Sequence, residues 1–531
     1  MRFTQKIARS FYIALLMAGT LFSGAQTGYY LPEFEGADEA ITAFMKKWRL
    51  TGGSVAIAKE GKLIYNRGFG YSDRNLTRHT RPDDQYRIAS ISKPVTAAAI
   101  MKLADIGQLD LDARVFGSGG ILTDHYYLEV VNDQRIYDIT VRHLLEHTAG
   151  WDRSVPYGPF SHCDAPFFPL YVTEAFDAPN PVGDSTLIRF KLGAGLHYAP
   201  GTHYAYSNVA YLVLGKVIEK ITGIRYEQYV KQTILEPIGA YDTHLGSNLF
   251  ENRLPREVEY INYTTSQSCY GDGAIVPTQY GGFNLEAMNA HGGWVSTAED
   301  LTRFFLSLDG TVSQRLLSPE AITTMTTGSD ANPGYAKGWL VNKKGNWWHT
   351  GSLDGTSAFA ARTADGFTWV LLFNGRSDNS AAFWQALDRL PRTALSTVTD
   401  FPDLDLFAPA QPATELAAWE LEPGTVHLSW TNGTGDRRMV VASETGLTAY
   451  PLTGHVYIGD TNYGLGTMLD RKAFVVYDGT GSRITLNELD PEKEYEFTVF
   501  EYAHNDETDL TPVYKLGAAA VSTSKPRLPK M

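Results

Sequence analysis

A serine and a lysine spaced three residues apart, Ser90 and Lys93, could together do chemistry. A serine hydroxyl becomes an effective nucleophile when a nearby base takes its proton. The pattern predicts a helix from Ser90 to Ile106, ended by Gly107, and side chains three residues apart share one helix face. The helix dipole and partial burial would both lower the pKa of Lys93 and make it a base. The same spacing also fits an ordinary helix surface.

The segment Tyr206-Ser207-Asn208 carries a second set of polar groups. A phenol can take and return the serine proton if a neighbouring ammonium lowers its pKa. The amide of Asn208 could hold both the lysine and a substrate carbonyl. A Ser-Asn pair that merely caps the helix Val209 to Thr222 explains the same residues.

A third set, His349-Thr350-Gly351, follows two tryptophans on an expected strand. A glycine here would let a substrate backbone lie against the strand edge. The backbone N–H of Ser352 could then pair with that of Ser90 as oxyanion donors. The alternative is an ordinary strand that ends in a turn.

The elements that must position these groups follow a clear order along the chain. A strand hairpin at 54–72 comes first, helices fill the middle, and strands return before a last helix at 379–395. This order predicts an α+β fold, an antiparallel sheet flanked by helices with an all-helical subdomain. Residues 401–418 are rich in Pro and Ala and predict a linker. After it, alternating segments in 419–525 predict a small all-β sandwich.

Taken together, the three motifs resemble those of the penicillin-recognising serine hydrolases, the superfamily of class C β-lactamases, DD-peptidases, D-aminopeptidases and related esterases. Segments 141–151 (VRHLLEHTAGW) and 206–223 (YSNVAYLVLGKVIEKITG) strengthen the resemblance, which covers residues 35–395. It implies that Ser90 is the acylated nucleophile, that Lys93 activates it, and that Tyr206 is the general base for acylation and deacylation. It implies no cofactor. It implies substrate-binding roles for Asn208, His349, Thr350, Gly351 and Ser352.

His349 stands where the superfamily usually has a lysine. An imidazole is largely neutral at pH 7, so attraction of a substrate carboxylate should be weak and efficient β-lactam hydrolysis is in doubt. We expect activity on carboxylate substrates to improve as the pH falls toward about 6. The preferred substrate is a D-amino-acid peptide, such as a cell-wall peptide. An esterase, a weak β-lactamase, and a penicillin-type binding protein that does not turn over are the alternatives.

Two further patterns leave alternatives open. His143, Glu146 and His147 fit a zinc-protease spacing, but the resemblance already accounts for this segment, and we expect no metal. Four tyrosines in 256–291 predict either an aromatic lid over the site or simple loop packing: Tyr260, Tyr263, Tyr270 and Tyr280.

In the C-terminal segment the spacing of Trp430, Leu489, Pro491 and Tyr495 resembles a fibronectin type III domain with a tyrosine corner. A spacer is the simplest role for it, and binding to a surface polymer is the alternative.

Composition and the N-terminus bound the function class. The formal net charge is −13 and no basic stripe occurs, which argues against nucleic-acid binding. Residues 1–25 have a basic start, a short apolar stretch and a small-residue exit, the pattern of an export signal, so we expect a soluble periplasmic or extracellular protein without a stable membrane span. Cys163 and Cys269 could pair in an oxidising compartment or remain free thiols.

Overall fold

The computed structural model describes residues 26–312, 315–377, 380–444, 446–447, 449–504, 512–515 and 519–522. The expected export signal, residues 1–25, lies outside these ranges. Within them, no helix combines the length and the apolar composition that a membrane crossing requires.

The long strands and helices follow the order that the sequence predicts, and five short strands, β4 to β8, interrupt the helical middle. The α-helices are α1 Glu35–Trp48, α2 Ser92–Asp105, α3 His125–Leu128, α4 Val141–Leu145, α5 Pro169–Phe176, α6 Asp184–Ala194, α7 Asn208–Thr222, α8 Tyr226–Val230, α9 Asn289–Gly292, α10 Ala298–Asp309, α11 Pro319–Thr326 and α12 Ala381–Leu395. The strands before the linker are β1 Gln26–Thr27, β2 Gly52–Lys59, β3 Lys62–Gly70, β4 Tyr86–Arg87, β5 His244–Leu245, β6 Thr265–Gln267, β7 Ile275–Pro277, β8 Trp294–Ser296, β9 Leu340–Val341, β10 Trp347–Leu353, β11 Thr356–Arg362 and β12 Phe367–Phe373. The remaining strands are β13 Thr414–Glu422, β14 Thr425–Thr431, β15 Arg437–Ser443, β16 Met468–Asp470, β17 Ala473–Gly479, β18 Arg483–Leu486, β19 Glu496–His504, β20 Pro512–Tyr514 and β21 Ala519–Ser522.

The main sheet joins the two ends of the first region. Its order is β1-β3-β2-β12-β11-β10-β9, and β12 pairs antiparallel with β2 from Phe367↔Lys59 to Phe373↔Gly53. One face packs on α1 and α12, where Phe44 and Phe383 meet with their ring centroids 5.9 Å apart. The other face packs on the helical middle. The predicted α+β architecture is confirmed, and it places β10 beside the segment that carries Ser90.

Helix α2 lies in the middle of the helical core, as the burial of nearly every residue from Ser92 to Leu103 shows. It begins two residues later than the sequence predicts. A 3₁₀ turn, Ala89–Ile91, precedes it, and Ala89 adopts the left-handed conformation with φ of 48°. An alanine in this region stores strain that only surrounding structure can hold. Ser90 therefore sits on a tight turn before the helix.

The C-terminal strands form sheets separate from the main one. One contains β13, β14 and β18, and the other contains β15 to β17 and β19 to β21. The end of the predicted linker belongs to β13, and Leu406 donates a backbone hydrogen bond to the Leu63 carbonyl at 2.7 Å, so this segment runs along β3. Tyr495 Oη accepts from the Asp490 backbone N–H at 3.0 Å, as a tyrosine corner would. The fibronectin type III assignment stays a prediction.

Candidate active site

The turn that carries Ser90 is pressed against strand β10. A side chain at Gly351 would place its Cβ 2.2 Å from the backbone oxygen of Ile88, two residues before Ser90. Only glycine has no Cβ to clash there. The sequence predicts that Gly351 makes room for a substrate backbone. In the structure the Ile88 backbone occupies the space beside its Cα, so Gly351 instead allows β10 to approach the nucleophile turn.

Lys93 is fully buried behind Ser90 and makes three polar contacts. Its Nζ lies 3.2 Å from Ser90 Oγ, 2.9 Å from Asn208 Oδ1 and 2.8 Å from the His291 carbonyl oxygen. The last two atoms accept hydrogen bonds and cannot donate. A neutral amine has two N–H groups, which these two acceptors satisfy. Its lone pair then faces the Ser90 hydroxyl, which is the arrangement of a base that removes the serine proton.

Burial sets the protonation states of Lys93 and Tyr206 in the same direction, toward the neutral forms. Desolvation, aided by the Arg153 cation, lowers the pKa of Lys93 well below its usual value. Desolvation raises the pKa of Tyr206 above its usual value, although Arg153 and a hydrogen bond with Ser90 oppose the rise. The sequence predicts a lowered pKa for this tyrosine. The difference arises because Tyr206 is buried and the nearby lysine is not kept charged.

A carboxylate and a guanidinium that the motifs do not contain complete this side of the site. Asp164 Oδ2 accepts from Asn208 Nδ2 at 2.8 Å, which turns the amide oxygen toward Lys93. Asp164 Oδ2 also lies 3.4 Å from Arg153 Nη1. Arg153 also lies over the Tyr206 ring at 4.5 Å, and 45% of its side chain is exposed. Both residues flank an irregular loop, so no helix or strand periodicity could point to them.

His349 is held neutral inside the site. It is 3% exposed, and desolvation by burial lowers its pKa to about 3. Its Nδ1 lies 2.7 Å from the Thr350 carbonyl oxygen, so Nδ1 carries the proton and donates it there. Its Nε2 faces the Tyr335 hydroxyl at 3.5 Å, which in turn contacts His147 Nε2 at 3.1 Å. The expected gain in activity toward pH 6 loses its basis, because His349 does not titrate there.

Strand β10 divides the other predicted binding residues between its two faces. His349 and Gly351 belong to the buried face, whereas Thr350 and Ser352 are half-buried on the opposite one. Ser352 Oγ accepts from Arg376 Nη1 at 3.1 Å, and Arg376 also pairs with Asp354 at 3.1 Å. The structure brings Ser90, Lys93, Tyr206, Asn208 and His349 together: Lys93 Nζ lies 4.8 Å from the centre of the Tyr206 ring, and the Tyr206 and His349 ring centroids are 6.5 Å apart. The pairing of the Ser352 and Ser90 N–H groups as oxyanion donors stays a prediction.

The zinc-protease spacing does not form a shared helix face. Helix α4 ends at Leu145, and His147 adopts the left-handed conformation with φ of 56°. His143 Nδ1 accepts from the Thr140 backbone N–H at 3.2 Å, and Glu146 pairs with Lys337 at 2.7 Å. No group of three or more metal-ligating side chains occurs within the described ranges.

The four tyrosines of 256–291 differ in burial, and Tyr270 is half-buried, with its hydroxyl accepting from Asn248 Nδ2 at 3.0 Å. Tyr260 and Tyr280 are buried and pack beneath the surface, whereas Tyr263 is 86% exposed on the segment beside Asp354. Loop packing accounts for the buried pair. Cys163 and Cys269 are both buried free thiols, so no disulfide joins them.

Comparison with known proteins agrees with this geometry. The model of the family described as Beta-lactamase matches residues 37–390. Protein flp of Staphylococcus aureus (strain COL) is 27% identical over 330 residues, 61% of this chain and 59% of flp, so the chain spans about 59% of the length of that relative. A D-stereospecific amidohydrolase from Streptomyces sp. matches 67% of this chain and 98% of its own, with 23% identity and a TM-score of 0.50. EstCE1, a hydrolase with promiscuous acyltransferase activity, matches 69% and 99%, with 22% identity and a TM-score of 0.51.

Proposed function

The chain belongs to the Beta-lactamase family, and we propose that it is an exported hydrolase that cleaves an amide or ester through an acyl-enzyme on Ser90. The observation that carries this proposal is the contact of Lys93 Nζ with Ser90 Oγ at 3.2 Å. The two N–H groups of the neutral amine are used by the Asn208 Oδ1 and His291 carbonyl acceptors, which leaves its lone pair for the Ser90 proton. A base in this position can activate a serine near neutral pH.

The lowered pKa of Lys93 and the raised pKa of Tyr206 keep both groups neutral, so we assign Lys93 as the base and Tyr206 as the acid. Neutral Lys93 takes the Ser90 proton while Oγ attacks the substrate carbonyl carbon. The Tyr206 phenol then gives its proton to the leaving nitrogen or oxygen, and the Lys93 ammonium restores a proton to Tyr206 through a water molecule, because Ser90 Oγ is now an ester oxygen. A water molecule attacks the ester of Ser90 by the same route in reverse. The roles of Ser352 and Ser90 N–H as oxyanion donors complete this proposal.

The proposed substrate is an amide or peptide of a D-amino acid, including cell-wall peptides. The fold relative from Streptomyces, a D-stereospecific amidohydrolase, supports this class. Half-exposed Arg153 supplies a cation at the mouth of the site. An esterase is the second candidate, and neutral His349 favours it, because a site without a charge at that position has no strong demand for a substrate carboxylate.

Intact-protein mass spectrometry after brief exposure to benzylpenicillin, D-alanine methyl ester and an N-acylated D-Ala-D-Ala peptide tests the proposal. We expect an adduct or product with at least one of them in the wild type and in Ser92→Ala, and none in Ser90→Ala. Ser92 is the matched control because its buried hydroxyl accepts from the backbone N–H of Trp294 at 3.3 Å. Preference for the peptide over the ester supports the peptidase, and the reverse supports the esterase. A stable adduct with no product would favour the binding protein, and an adduct that survives in Ser90→Ala would overturn the mechanism.

Export is proposed from the first 25 residues alone. Expression of the full chain in a bacterial host, followed by N-terminal sequencing of the protein outside the cytoplasm, tests it. A start at Gln26 is the expected result. An intact Met1 in the cytoplasmic fraction would contradict it.

A further inference from the structure

Cys163 and Lys191 form a buried pair of a nucleophile and an amine. Lys191, on helix α6, is 1% exposed and Cys163 is 2% exposed. Lys191 Nζ lies 2.9 Å from Cys163 Sγ and 3.3 Å from the carbonyl oxygen of the same residue. In the part of the chain that the structure describes, no carboxylate forms an ion pair with Lys191. A buried amine without an anionic partner is costly, and the side-chain hydrogen bond described for Lys191 goes to the Cys163 sulfur.

We propose that Cys163 and Lys191 are a modification site at which a peroxide joins the two side chains covalently. The thiol sulfur attacks one oxygen of hydrogen peroxide, the O–O bond breaks, and water leaves. The sulfur becomes a sulfenic acid and the peroxide is reduced. The Lys191 nitrogen then attacks this sulfur, the S–O bond breaks, and the hydroxyl group leaves with one amine proton as water. The product is an S–N bond, and the protein has lost two hydrogen atoms for each peroxide consumed.

The position of the pair gives the peroxide a route and the bond a consequence. Cys163 lies at the end of the irregular loop that begins near Arg153, and Ser161, two residues before it, is exposed, so a local opening of this loop would admit a small oxidant. The next residue, Asp164, accepts from Asn208 at 2.8 Å. A bond from Cys163 to α6 would hold the loop that orients Asn208. Because it closes a segment of 28 residues, we expect the thermal midpoint to rise by roughly 3–5 °C.

The test uses the full chain with and without hydrogen peroxide. After peroxide we expect the intact mass to fall by two hydrogen atoms. We expect a tryptic peptide that joins Cys163 to Lys191 and is not cleaved after Lys191. Dithiothreitol should restore the original mass and abolish the gain in thermal midpoint. Cys269→Ser is the matched control, since Cys269 is equally buried but carries no lysine contact among its described bonds, and it should keep the reaction. Cys163→Ser and Lys191→Arg should abolish it.

Three results would overturn the proposal. They are an unchanged mass after peroxide, oxygen added to Cys163 while Lys191 stays free, and the same mass loss in Cys163→Ser. The wild-type peptide measurement decides the question even if Lys191→Arg fails to fold.

Discussion

The two walls of the site are built on different physical principles. The helical wall contains Ser90, Lys93, Tyr206 and Asn208, which are held by hydrogen bonds and tuned by burial and by the Arg153 charge. The strand wall is β10, where the close approach of Gly351 to the Ile88 backbone sets the position and His349 is held neutral. Changes to the helical wall should therefore alter proton transfer, whereas changes to the strand wall should alter geometry.

The largest expected effect is the loss of the base. Lys93→Met keeps much of the volume but removes the amine, so kcat/KM should fall by about 10³-fold. Progress curves on the best substrate, together with the rate of acylation by benzylpenicillin, measure the loss. Lys102→Met is the control on the same helix, because the hydrogen bond described for that lysine goes to the Leu316 carbonyl at 2.9 Å, away from the site, and it should keep wild-type rates. Comparable acylation in Lys93→Met would remove the lysine from the proton path.

The strand wall should respond to a single methyl group. In Gly351→Ala the new Cβ meets the Ile88 oxygen, so β10 and the nucleophile turn must separate. A misplacement of about 1 Å costs on the order of 10²-fold in rate, and we expect that loss in kcat with unchanged pH dependence. Gly183→Ala, where a Cβ meets no atom within 4 Å, is the control. A shifted pH profile in Gly351→Ala would mean that the two walls are not separate in function.

The anchor of Asn208 gives a smaller effect. Asp164→Asn removes the charge that holds the amide, so Asn208 can turn its Nδ2 toward Lys93. We expect a roughly tenfold loss in kcat/KM, the size of one charge-assisted hydrogen bond. The carboxylate of Asp164 raises the pKa of Lys93, so its removal should also move the acidic limb of the rate profile to lower pH. Asp152→Asn, on the same loop, is the control, and an acidic limb that moved upward would contradict the electrostatic assignment.

The order of strands and helices along the chain and the positions of the motifs could be predicted from the sequence, because hydrophobic periodicity and short spacings are local signals. The turn at Ala89 could not, since its left-handed backbone depends on β10 packing against it from more than 250 residues away. Asp164 and Arg153 gave no signal for a similar reason. Both lie on an irregular loop, and their partners are distant in sequence: Asp164 contacts Asn208, 44 residues away, and Arg153 contacts Tyr206, 53 residues away. The neutrality of His349 depends on burial, which residue type alone does not determine.

The smallest expected effect on the rate is at His349. If the strand wall sets geometry and not proton transfer, titration of His349 should leave the rate unchanged. The pKa of about 3 keeps the imidazole neutral from about pH 5 to 8, so its titration should not change kcat/KM for a carboxylate substrate in that range. The sign for stability is fixed as well. The folded pKa lies below that of an exposed histidine, so this group stabilises the fold above about pH 6.5 and loses that contribution as the pH falls toward its folded pKa. His349→Gln should therefore flatten the pH dependence of the free energy of unfolding between about pH 5 and 7. A rate that rises toward about pH 6 in the wild type but not in His349→Gln would contradict this account, because it would show that His349 becomes charged in that range.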